Sequence, residues 1–231
     1  MAIYRVIDIE TTGMEPPAAI IEIGYADLTH IDGLTEIAAP RAKLFGSADG
    51  CPPEVVAVHH ILPEQIEGLP LCDQATLAKL ARNGCDAVVA HNAEFETKWF
   101  TPDILGPTPL ICTYKAALRV WPDAPGHSNQ VLRYWLKHTL ADDLAMPPHR
   151  AGPDAYVTAH ILQSLMQLAS IEDMIAWTKE PRLLPTCPIG KFRGKAWPDV
   201  EVGFLRWMLD QASMEADLKW NARRELERRA A

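Results

Sequence analysis

Two carboxylates lie two residues apart near the start of the chain, in the stretch VIDIETTG at residues 6–13. In a β-strand, residues i and i+2 project from the same face, so Asp8 and Glu10 place their carboxylates side by side. Like charges at that separation repel, so either one carboxyl is protonated or a cation lies between them. Alone, the pattern is a weak sign of a metal site, because both groups could simply lie in water at the end of the strand.

Three further residues point to the same chemistry. The stretch HNAEFE ends a short apolar run and places Glu96 one turn into a following helix. Asp154 lies on the apolar face of a later helical pattern, where an isolated charge is costly unless it is neutralised. His149 precedes it by five residues, in the loop before that helix. Four acids and a histidine at strand ends and helix starts predict a two-metal centre, since hard divalent cations prefer oxygen ligands.

Strand patterns dominate the beginning of the chain. Residues 3–9 and 20–28 predict two strands, and a third is expected near residues 34–45, interrupted by Pro40. Gly33 fits the turn of a hairpin between the second and third strands. Because no helical pattern separates them, the three strands are expected to pair antiparallel.

Helical and strand patterns alternate in the rest of the first two thirds of the chain. Short apolar runs predict buried strands at residues 86–92 and near residues 109–112. Helical spacing is found at residues 53–61, 73–82, 93–100, 113–121 and 128–137, and from Pro148 to about residue 169. Strands followed by alternating strands and helices predict an α/β protein with a mixed sheet and helices on both sides.

The chain is expected to divide into a catalytic domain at residues 1–170 and a linker with a small C-terminal module at residues 171–231. The second part is rich in proline near its start and has two helical patterns near its end. Its large apolar side chains predict a small core of its own, made of Trp197, Phe204, Leu205, Trp207 and Met208.

Composition excludes several classes of protein. A chain that is 48% hydrophobic can form a core, which argues against global disorder. Its five cysteines include no Cys-x-x-Cys pair, which argues against a disulfide framework and a structural zinc site. No apolar run is long enough to cross a membrane and no basic-then-apolar leader is present, so the sequence predicts a cytoplasmic protein with no membrane partner.

The net charge of −8 is unevenly distributed along the chain. Residues 181–231 hold 10 Lys/Arg against 7 Asp/Glu, a net of +3, whereas residues 1–180 hold 12 against 23, a net of −11. An acidic body with a mildly basic tail is commonly a matter of solvation. It also fits a body whose carboxylates bind metal ions, because bound cations reverse the local field.

The order Asp-x-Glu-Thr-Thr-Gly, His-Asn-x-x-Phe-acid and His-x-x-x-x-Asp resembles the DEDDh 3′–5′ exonucleases, which have a ribonuclease H-like fold. This superfamily includes the polymerase proofreading subunit and ribonuclease T. The resemblance is greatest to a bacterial DNA-degrading branch, and it extends through AVHHI at 57–61, ICTYKAALRVWP at 111–122, HRAGPDAYVTAHIL at 149–162 and IGKFRGKAW at 189–197. It implies three antiparallel strands followed by parallel strands, and hydrolysis of nucleotides from 3′ ends.

The resemblance implies roles for the five residues, with two divalent cations, Mg²⁺ or Mn²⁺, as cofactors. Asp8 would contact both metals, and Glu10 and Asp154 would complete the site of the metal that holds the attacking water. Glu96 would serve the second metal, and His149 would be the general base, because a histidine side chain can accept a proton near neutral pH.

One of these residues departs from the family pattern, which has aspartate at the position of Glu96. The extra methylene moves the carboxylate by roughly 1.5 Å, about one C–C bond. A direct ligand in a rigid octahedron would tolerate that change poorly, whereas a ligand that acts through water would tolerate it. We expect an active enzyme.

Seven further residues are candidate contacts for the substrate. The segment after the acid pair would meet the terminal nucleotide, and the remaining residues end a buried strand or match a family histidine near the substrate end. They are Thr11, Thr12, Gly13, Met14, His59, His91 and Asn92. A turn is the alternative for Gly13, a surface position for His59, and a helix cap for Asn92.

Three cations in the tail, Lys191, Arg193 and Lys195, alternate with Phe192 and Gly194. Basic groups beside an aromatic ring can hold a phosphate backbone and stack a base. The same alternation in a strand would place the three cations on a solvated face and Phe192 in a core, and both alternatives stay open.

The sequence therefore predicts a metal-dependent 3′–5′ exonuclease whose partner is nucleic acid with a free 3′ end, preferably single-stranded DNA. An exoribonuclease that trims RNA ends or short oligomers is one alternative, because no residue pattern distinguishes the 2′-hydroxyl. The other alternative is a nucleic-acid-binding module whose catalysis is weakened by Glu96.

Overall fold

A six-stranded mixed sheet forms the centre of the computed structural model, which describes residues 1–230. The strands are β1 (Ala2–Thr11), β2 (Ile20–Ile31), β3 (Leu34–Ile37), β4 (Arg41–Leu44), β5 (Ala87–Ala90) and β6 (Leu110–Cys112). Their order is β3-β2-β1-β5-β6, and β4 pairs with the first half of β2. The first strands pair antiparallel, and β1, β5 and β6 run parallel. This arrangement confirms the α/β fold class and the predicted order of antiparallel and parallel pairing.

The first hairpin follows from local backbone chemistry. Asp32 and Gly33 between β2 and β3 have positive φ angles of 51° and 84°, the conformation that a two-residue hairpin turn requires at both positions. Aspartate and glycine are residues that adopt it readily. The predicted third strand is divided into β3 and β4 around Pro40, which has no backbone N–H to donate to the sheet.

The described part of the chain contains eleven α-helices. They are α1 (Pro53–His59), α2 (Pro63–Ile66), α3 (Gln74–Arg82), α4 (Pro102–Leu105), α5 (Thr113–Val120), α6 (Asn129–Trp135), α7 (Asp142–Ala145), α8 (Ala151–Leu165), α9 (Ile171–Lys179), α10 (Val202–Asp210) and α11 (Ala216–Ala230). Side chains that accept backbone N–H groups fix two of the starts, Asp73 before α3 and Ser170 before α9. Within residues 1–230, no helix combines the length and the apolar character needed to cross a membrane.

Each face of the sheet packs against its own helices. On one face, buried β1 and β2 residues such as Val6 and Leu28 meet α5, α6, α8 and α9 in the larger core. On the other face, Ile7, Ile9 and Phe45 meet α3 and α4. The helix α8 crosses both β1 and β2, so its first turn lies against the strands that carry the acid pair.

Two predicted elements differ in the structure. Residues 93–100 form turns with a short 3₁₀ segment at Glu96–Lys98 instead of a regular helix. The tail cations lie around another 3₁₀ segment, Gly190–Phe192, so the alternative that places them in a strand is wrong, although the three cations are exposed and Phe192 packs against a core. Both stretches are too short for hydrophobic periodicity to distinguish a single turn from a longer element.

The C-terminal residues have a core of their own, built from Cys187, Trp197, Val200, Leu205, Met208, Leu218 and Ala222. Of the side chains predicted for it, Phe204 is partly buried at its edge, and Trp207 is 46% exposed. Arg229 of α11 closes this core, because its Nη2 donates to the carbonyls of Trp197, Pro198 and Val200 at 2.8–2.9 Å. The helix α9 packs on β6 and α5 of the sheet domain. The division at residue 170 stays a prediction.

Gly24 of β2 allows α8 to approach the sheet closely. It lies opposite Asp8 across the β1–β2 pair, and a Cβ at this position would fall well inside 3.0 Å of the backbone of Ala151 and Gly152. Only a residue without a side chain permits this contact. The close approach carries the first turn of α8, and with it Asp154, toward Asp8.

Gly24→Ala is therefore expected to destabilise the protein by at least about 3 kcal/mol, because the added methyl group meets backbone atoms that cannot rotate away. Urea denaturation followed by circular dichroism measures the change. Gly203→Ala in α10 is the matched control, since a Cβ there has nothing within 4 Å, and it should raise stability by up to about 1 kcal/mol. Equal stability of the two variants would contradict the packing argument.

Candidate active site

Three of the predicted acids meet where the end of β1 faces the start of α8. One oxygen from each of Asp8, Glu10 and Asp154 lies within 4.8 Å of the others. Asp8 and Glu10 project from the face of β1 that α8 covers, as the spacing predicted, and α8 supplies Asp154 from its first turn. The structure thus brings together residues that are nearly 150 positions apart in the sequence.

Asp154 is buried and held in place by hydrogen bonds from two directions. Its Oδ2 accepts from the backbone N–H of His149 at 2.7 Å. Its Oδ1 is 3.4 Å from Nε2 of Gln130 and 3.5 Å from Nδ2 of Asn129, and the same Asn129 amide donates to the Asp154 carbonyl at 3.0 Å. These bonds fix the carboxylate at the junction of α6 and α8.

His149 lies in the loop before α8, as predicted, with a positive φ of 59°. This left-handed conformation is uncommon for a residue with a side chain, and histidine is among those found in it more often. The imidazole is exposed and lines the cleft above the acids. Its position relative to Asp154 is set through its own backbone N–H.

Glu96 is the fourth acid, and it enters from the turn after β5. Its side chain is only 3% exposed. Its Oε2 is buried and has no hydrogen-bond partner among residues 1–230. A buried carboxylate oxygen without a partner is costly, so an oxygen in this position fits a group that binds from the cleft.

The four carboxyls titrate abnormally because they share one poorly solvated site. Burial raises the pKa of Asp8 well above its ordinary value, and the charges of Glu10, Glu96 and Asp154 raise it further. Burial and the neighbouring Asp154 raise the pKa of Glu10 to about 8, and burial raises the pKa of Glu96 to about 8. Burial also raises the pKa of Asp154, against the opposing hydrogen bond from His149.

This donor set fits divalent cations. Carboxylate oxygens are the ligands that Mg²⁺ and Mn²⁺ prefer, and the mutual repulsion of the acids would be relieved by positive charge between them. The unpartnered Oε2 of Glu96 supplies an additional oxygen at the same cleft.

The acids lie at the bottom of a cleft of about 540 Å³. Its lining comes from β1, from the turns after β1 and β5, from the starts of α6 and α8, and from the C-terminal part of the chain. The lining residues are Asp8, Ile9, Glu10, Met14, His91, Asn92, Glu94, Phe95, Glu96, Lys98, Asn129, His149, Asp154 and Arg182. A second groove, lined by residues such as Ile23, Tyr25 and Phe45, contains none of these acids, so the chemistry lies in this cleft.

Three of the predicted substrate contacts line this cleft. Met14 is 71% exposed, and Asn92, with a φ of 61°, is exposed too. His91 is held by Thr113 Oγ1 at 2.9 Å and by the His127 carbonyl at 2.7 Å. Burial lowers the pKa of His91 to about 4, so this ring is neutral near neutral pH.

Three other predicted contacts make bonds within their own loop. The Thr11 hydroxyl donates to the carbonyl of Gly13 at 2.7 Å, and the Thr12 hydroxyl accepts from the N–H of Ala19 at 2.9 Å. A Cβ on Gly13 would lie 3.3 Å from Cβ of Ala18, so the glycine lets the loop close on itself. These residues shape the loop that carries Met14 into the cleft.

His59 does not line the cleft. It is 1% exposed, its Nδ1 accepts from the N–H of Ile61 at 2.9 Å, and its Nε2 is 3.4 Å from Sγ of Cys51. The tail cations Lys191, Arg193 and Lys195 are exposed and also lie outside the cleft lining. Lys191 pairs with Glu201 at 2.9 Å.

Several residues that support the site were not among those predicted from the sequence. Glu22 of β2 is 2% exposed and accepts from Arg150 at 2.7 and 3.0 Å and from the N–H of Ala151 at 3.0 Å. It therefore ties the start of α8 to the sheet beside Glu10, its neighbour across the strands. An acid inside the apolar run IIEIG was the available signal. Asn129 and Arg182 gave no comparable signal.

Comparison with known proteins gives a consistent result. A family model described as exonuclease matches residues 6–162. The chain is 32% identical over 229 residues to exodeoxyribonuclease 10 of Escherichia coli K12, a match that covers 96% of this chain and 98% of the relative.

Two solved structures are similar in three dimensions. One is exonuclease X in complex with 5′-overhanging duplex DNA, with a TM-score of 0.61, 30% identity, and coverage of 76% of this chain and 99% of that one. The other is the nuclease domain of 3′hExo, a DEDDh family member bound to rAMP, with a TM-score of 0.54, 17% identity, and coverage of 71% and 92%. The second similarity concerns the fold alone.

Proposed function

The chain belongs to the exonuclease family, and on that basis we propose that it is a metal-dependent 3′–5′ exonuclease that removes nucleotides from the 3′ ends of DNA. The observation that carries the proposal is the meeting of Asp8, Glu10 and Asp154 within 4.8 Å, with the unpartnered oxygen of Glu96 at the same cleft. The order of these acids along the chain is the order in the motifs of the family.

In this proposal the four acids hold two divalent cations, Mg²⁺ or Mn²⁺. Asp8, Glu10 and Asp154 would hold one cation, and Asp8 and Glu96 would hold the other. Bound there, the cations supply an activated water and positive charge for the attacking and leaving oxygens of the phosphodiester. The loop that carries Met14 would receive the terminal nucleotide, and Asn92 lines the same cleft.

His149 is the general base in this proposal. Its exposed imidazole lies at the mouth of the cleft, where it can accept the proton of the attacking water. Asp154 positions it through the 2.7 Å bond from the His149 backbone, so one residue orients the base and also binds metal.

DNA is the proposed substrate because the relative that spans nearly the whole chain is an exodeoxyribonuclease. RNA is the alternative substrate, and the assay must distinguish it from DNA. The third reading, a binding module without efficient catalysis, rests on Glu96 in place of aspartate. The burial of Glu96 and its unpartnered oxygen support a role as a metal ligand instead. A buried carboxylate without a ligand or a hydrogen-bond partner would only destabilise the folded protein.

One assay tests the function. Single-stranded DNA and RNA of the same sequence, each labelled at the 5′ end, are incubated with the protein and Mg²⁺ or Mn²⁺, and again with chelator. A ladder that shortens from the 3′ end on DNA, and stops with chelator, is expected. Faster shortening of RNA than of DNA would indicate an exoribonuclease. Binding of either strand without shortening would indicate a nucleic-acid-binding module.

Metal binding should also be visible without catalysis. A ligand at a hundred times its dissociation constant stabilises the folded state by about 2.7 kcal/mol, which for a chain of this size corresponds to a rise in Tm of about 5–10 °C. We expect Mn²⁺ or Mg²⁺ to raise Tm by this order relative to chelator. Ca²⁺-free buffer and an equal ionic strength of NaCl serve as controls, and an unchanged Tm would count against a metal site.

A further inference from the structure

Arg182 is a cation of the C-terminal part of the chain that lines the cleft of the exonuclease domain. It lies beyond residues 6–162, the range that the family model matches. The tail cations Lys191, Arg193 and Lys195, one alternative for a nucleic-acid contact, lie outside the cleft lining. Arg182 is therefore a charged residue in the cleft that has no role in the proposed reaction.

The charge of the cleft makes a cation there informative. Five acids line it, against two residues that are always cationic at neutral pH, Lys98 and Arg182. Lys98 already has partners within the protein, because its Nζ donates to Glu15 at 2.7 Å and to the Met14 carbonyl at 2.9 Å. His91 is neutral, as described above. A strand of nucleic acid that enters such a cleft carries a negative charge at every phosphate and needs positive partners.

The segment that carries Arg182 is fixed to the exonuclease domain on one side. Lys115 of α5 donates to the carbonyls of Thr178 and Glu180 at 2.9 and 2.6 Å. Arg119, one turn further along α5, donates to the Glu180 carboxylate at 2.7 Å. The backbone just before Arg182 is thus fastened to a helix of the main core.

On the other side, α11 holds the same segment. Asp217 accepts from the backbone N–H of Arg182 at 2.9 Å and also from its Nε. Asn221, one turn later and 3% exposed, donates to the Arg182 carbonyl at 2.7 Å and accepts from the N–H of Leu184 at 3.1 Å. Two side chains of one helix face therefore fix both the backbone and the side chain of Arg182.

These bonds leave the end of the guanidinium available. The Nη2 group is 3.9 Å from Glu215, an ion pair without a hydrogen bond. Neither Nη1 nor Nη2 of Arg182 donates a hydrogen bond to any atom of residues 1–230. The side chain is 30% exposed. An arginine anchored through Nε with two free terminal nitrogens presents the fork that binds phosphate in a bidentate manner.

We propose that Arg182 binds a phosphate of the substrate strand on the 5′ side of the scissile bond, and that Asp217 and Asn221 position it there. The inference rests on the proposed exonuclease function. The 5′ assignment follows because a strand with its 3′ end at the acids has all its other phosphates on that side. The C-terminal module is then a part of the substrate-binding surface, and α11 acts on the strand through Arg182.

The test uses the full chain with Arg182→Gln, which keeps a donor for Asp217 but removes the charge. KM and kcat are measured on single-stranded DNA, and binding is measured with Mg²⁺ in an Asp8→Asn background. The expected result is a rise of about 10- to 100-fold in Kd and KM with little change in kcat. The slope of log Kd against log salt should fall by about 0.7. Arg182→Lys should recover part of the affinity.

Arg206→Gln is the matched control, since it removes an exposed arginine of the same module that does not line the cleft. It should leave all these constants unchanged. A folded Arg182→Gln variant with the Kd, KM and salt slope of the parent protein would overturn the proposal.

Oligonucleotides with one methylphosphonate, which removes the charge of one phosphate, identify the contact. A methylphosphonate at one position is expected to weaken DNA binding by the parent protein. The same methylphosphonate should have no further effect on DNA binding by Arg182→Gln. If the glutamine variant does not fold, Arg182→Lys is used in its place. A methylphosphonate at the contacted position should then weaken DNA binding by Arg182→Lys less than it weakens DNA binding by the parent protein. Equal weakening at every position would refute the contact. Parent protein that binds DNA through Arg182 but never shortens it would refute the exonuclease function and leave this inference standing.

Discussion

Asp8→Asn is expected to lower the rate of DNA shortening by about 10³–10⁴. In the proposed site this carboxylate would help to hold both cations, so its neutralisation should weaken the binding of both at once. Metal ions at a phosphodiester supply several kcal/mol of transition-state stabilisation, and each 1.36 kcal/mol corresponds to a factor of ten. Single-turnover rates on 5′-labelled DNA measure the loss without interference from product release.

The control for this variant is Asp32→Asn. Asp32 is an exposed aspartate in the turn between β2 and β3, and asparagine tolerates its positive φ of 51°. Its exonuclease rate should match that of the parent protein. An Asp8→Asn rate within tenfold of the parent would contradict the central place of Asp8 in the acid cluster.

The same substitution should have the opposite effect on stability without metal. Glu10 and Glu96 have pKa values raised to about 8 in the folded protein. A raised carboxyl pKa means that the folded state binds more protons than the unfolded state. Stability in chelator is therefore expected to fall as pH rises from about 4.5 to about 8. Asp8→Asn removes one of the repelling charges, so its Tm in chelator at pH 8 should exceed that of the parent.

The sequence predicted those parts of the site in which local periodicity determines geometry. The two-residue period of a strand places Asp8 and Glu10 on one face, and the structure has them there. The helical period placed Asp154 toward the core, and it is 8% exposed. The antiparallel pairing of the first strands followed from the absence of a helical pattern between them.

The unpredicted parts depend on contacts between distant segments. Glu22 and Arg150 are 128 residues apart and meet only because α8 crosses β2. Arg182 is held at the cleft by bonds to α11, which lies more than thirty residues further along the chain. No local pattern specifies such a pair, because the interaction is between two elements whose packing is decided by the whole core.

Glu22, Arg150 and Gly24 together explain how the fold builds the site. The absent side chain at Gly24 lets the backbone of α8 approach, and the carboxylate of Glu22 binds both Arg150 and the first N–H of the helix. The ion pair is nearly buried on the Glu22 side, where loss of one partner would leave a charge without compensation. His149 and Asp154 flank this junction, so their positions relative to Asp8 depend on it.

His149→Ala is expected to lower the exonuclease rate by about 10²–10⁴, the range for removal of a general base. The loss should be in kcat, since His149 is proposed to act on the attacking water and not on the strand. The difference in kcat between the parent protein and the variant should become smaller at higher pH, because hydroxide then replaces the missing base. Rates across a pH series, for both the parent protein and the variant, measure this difference.

The backbone at His149 requires a careful control, because alanine is strained at a φ of 59°. His149→Asn tolerates this conformation and still cannot accept the proton, so it should lose as much activity as His149→Ala. His60→Ala introduces the same strain at a φ of 58°, at an exposed histidine outside the cleft lining, and should keep its activity. Loss of activity in His60→Ala, or its retention in His149→Asn, would show that backbone strain and not the missing base explains the effect.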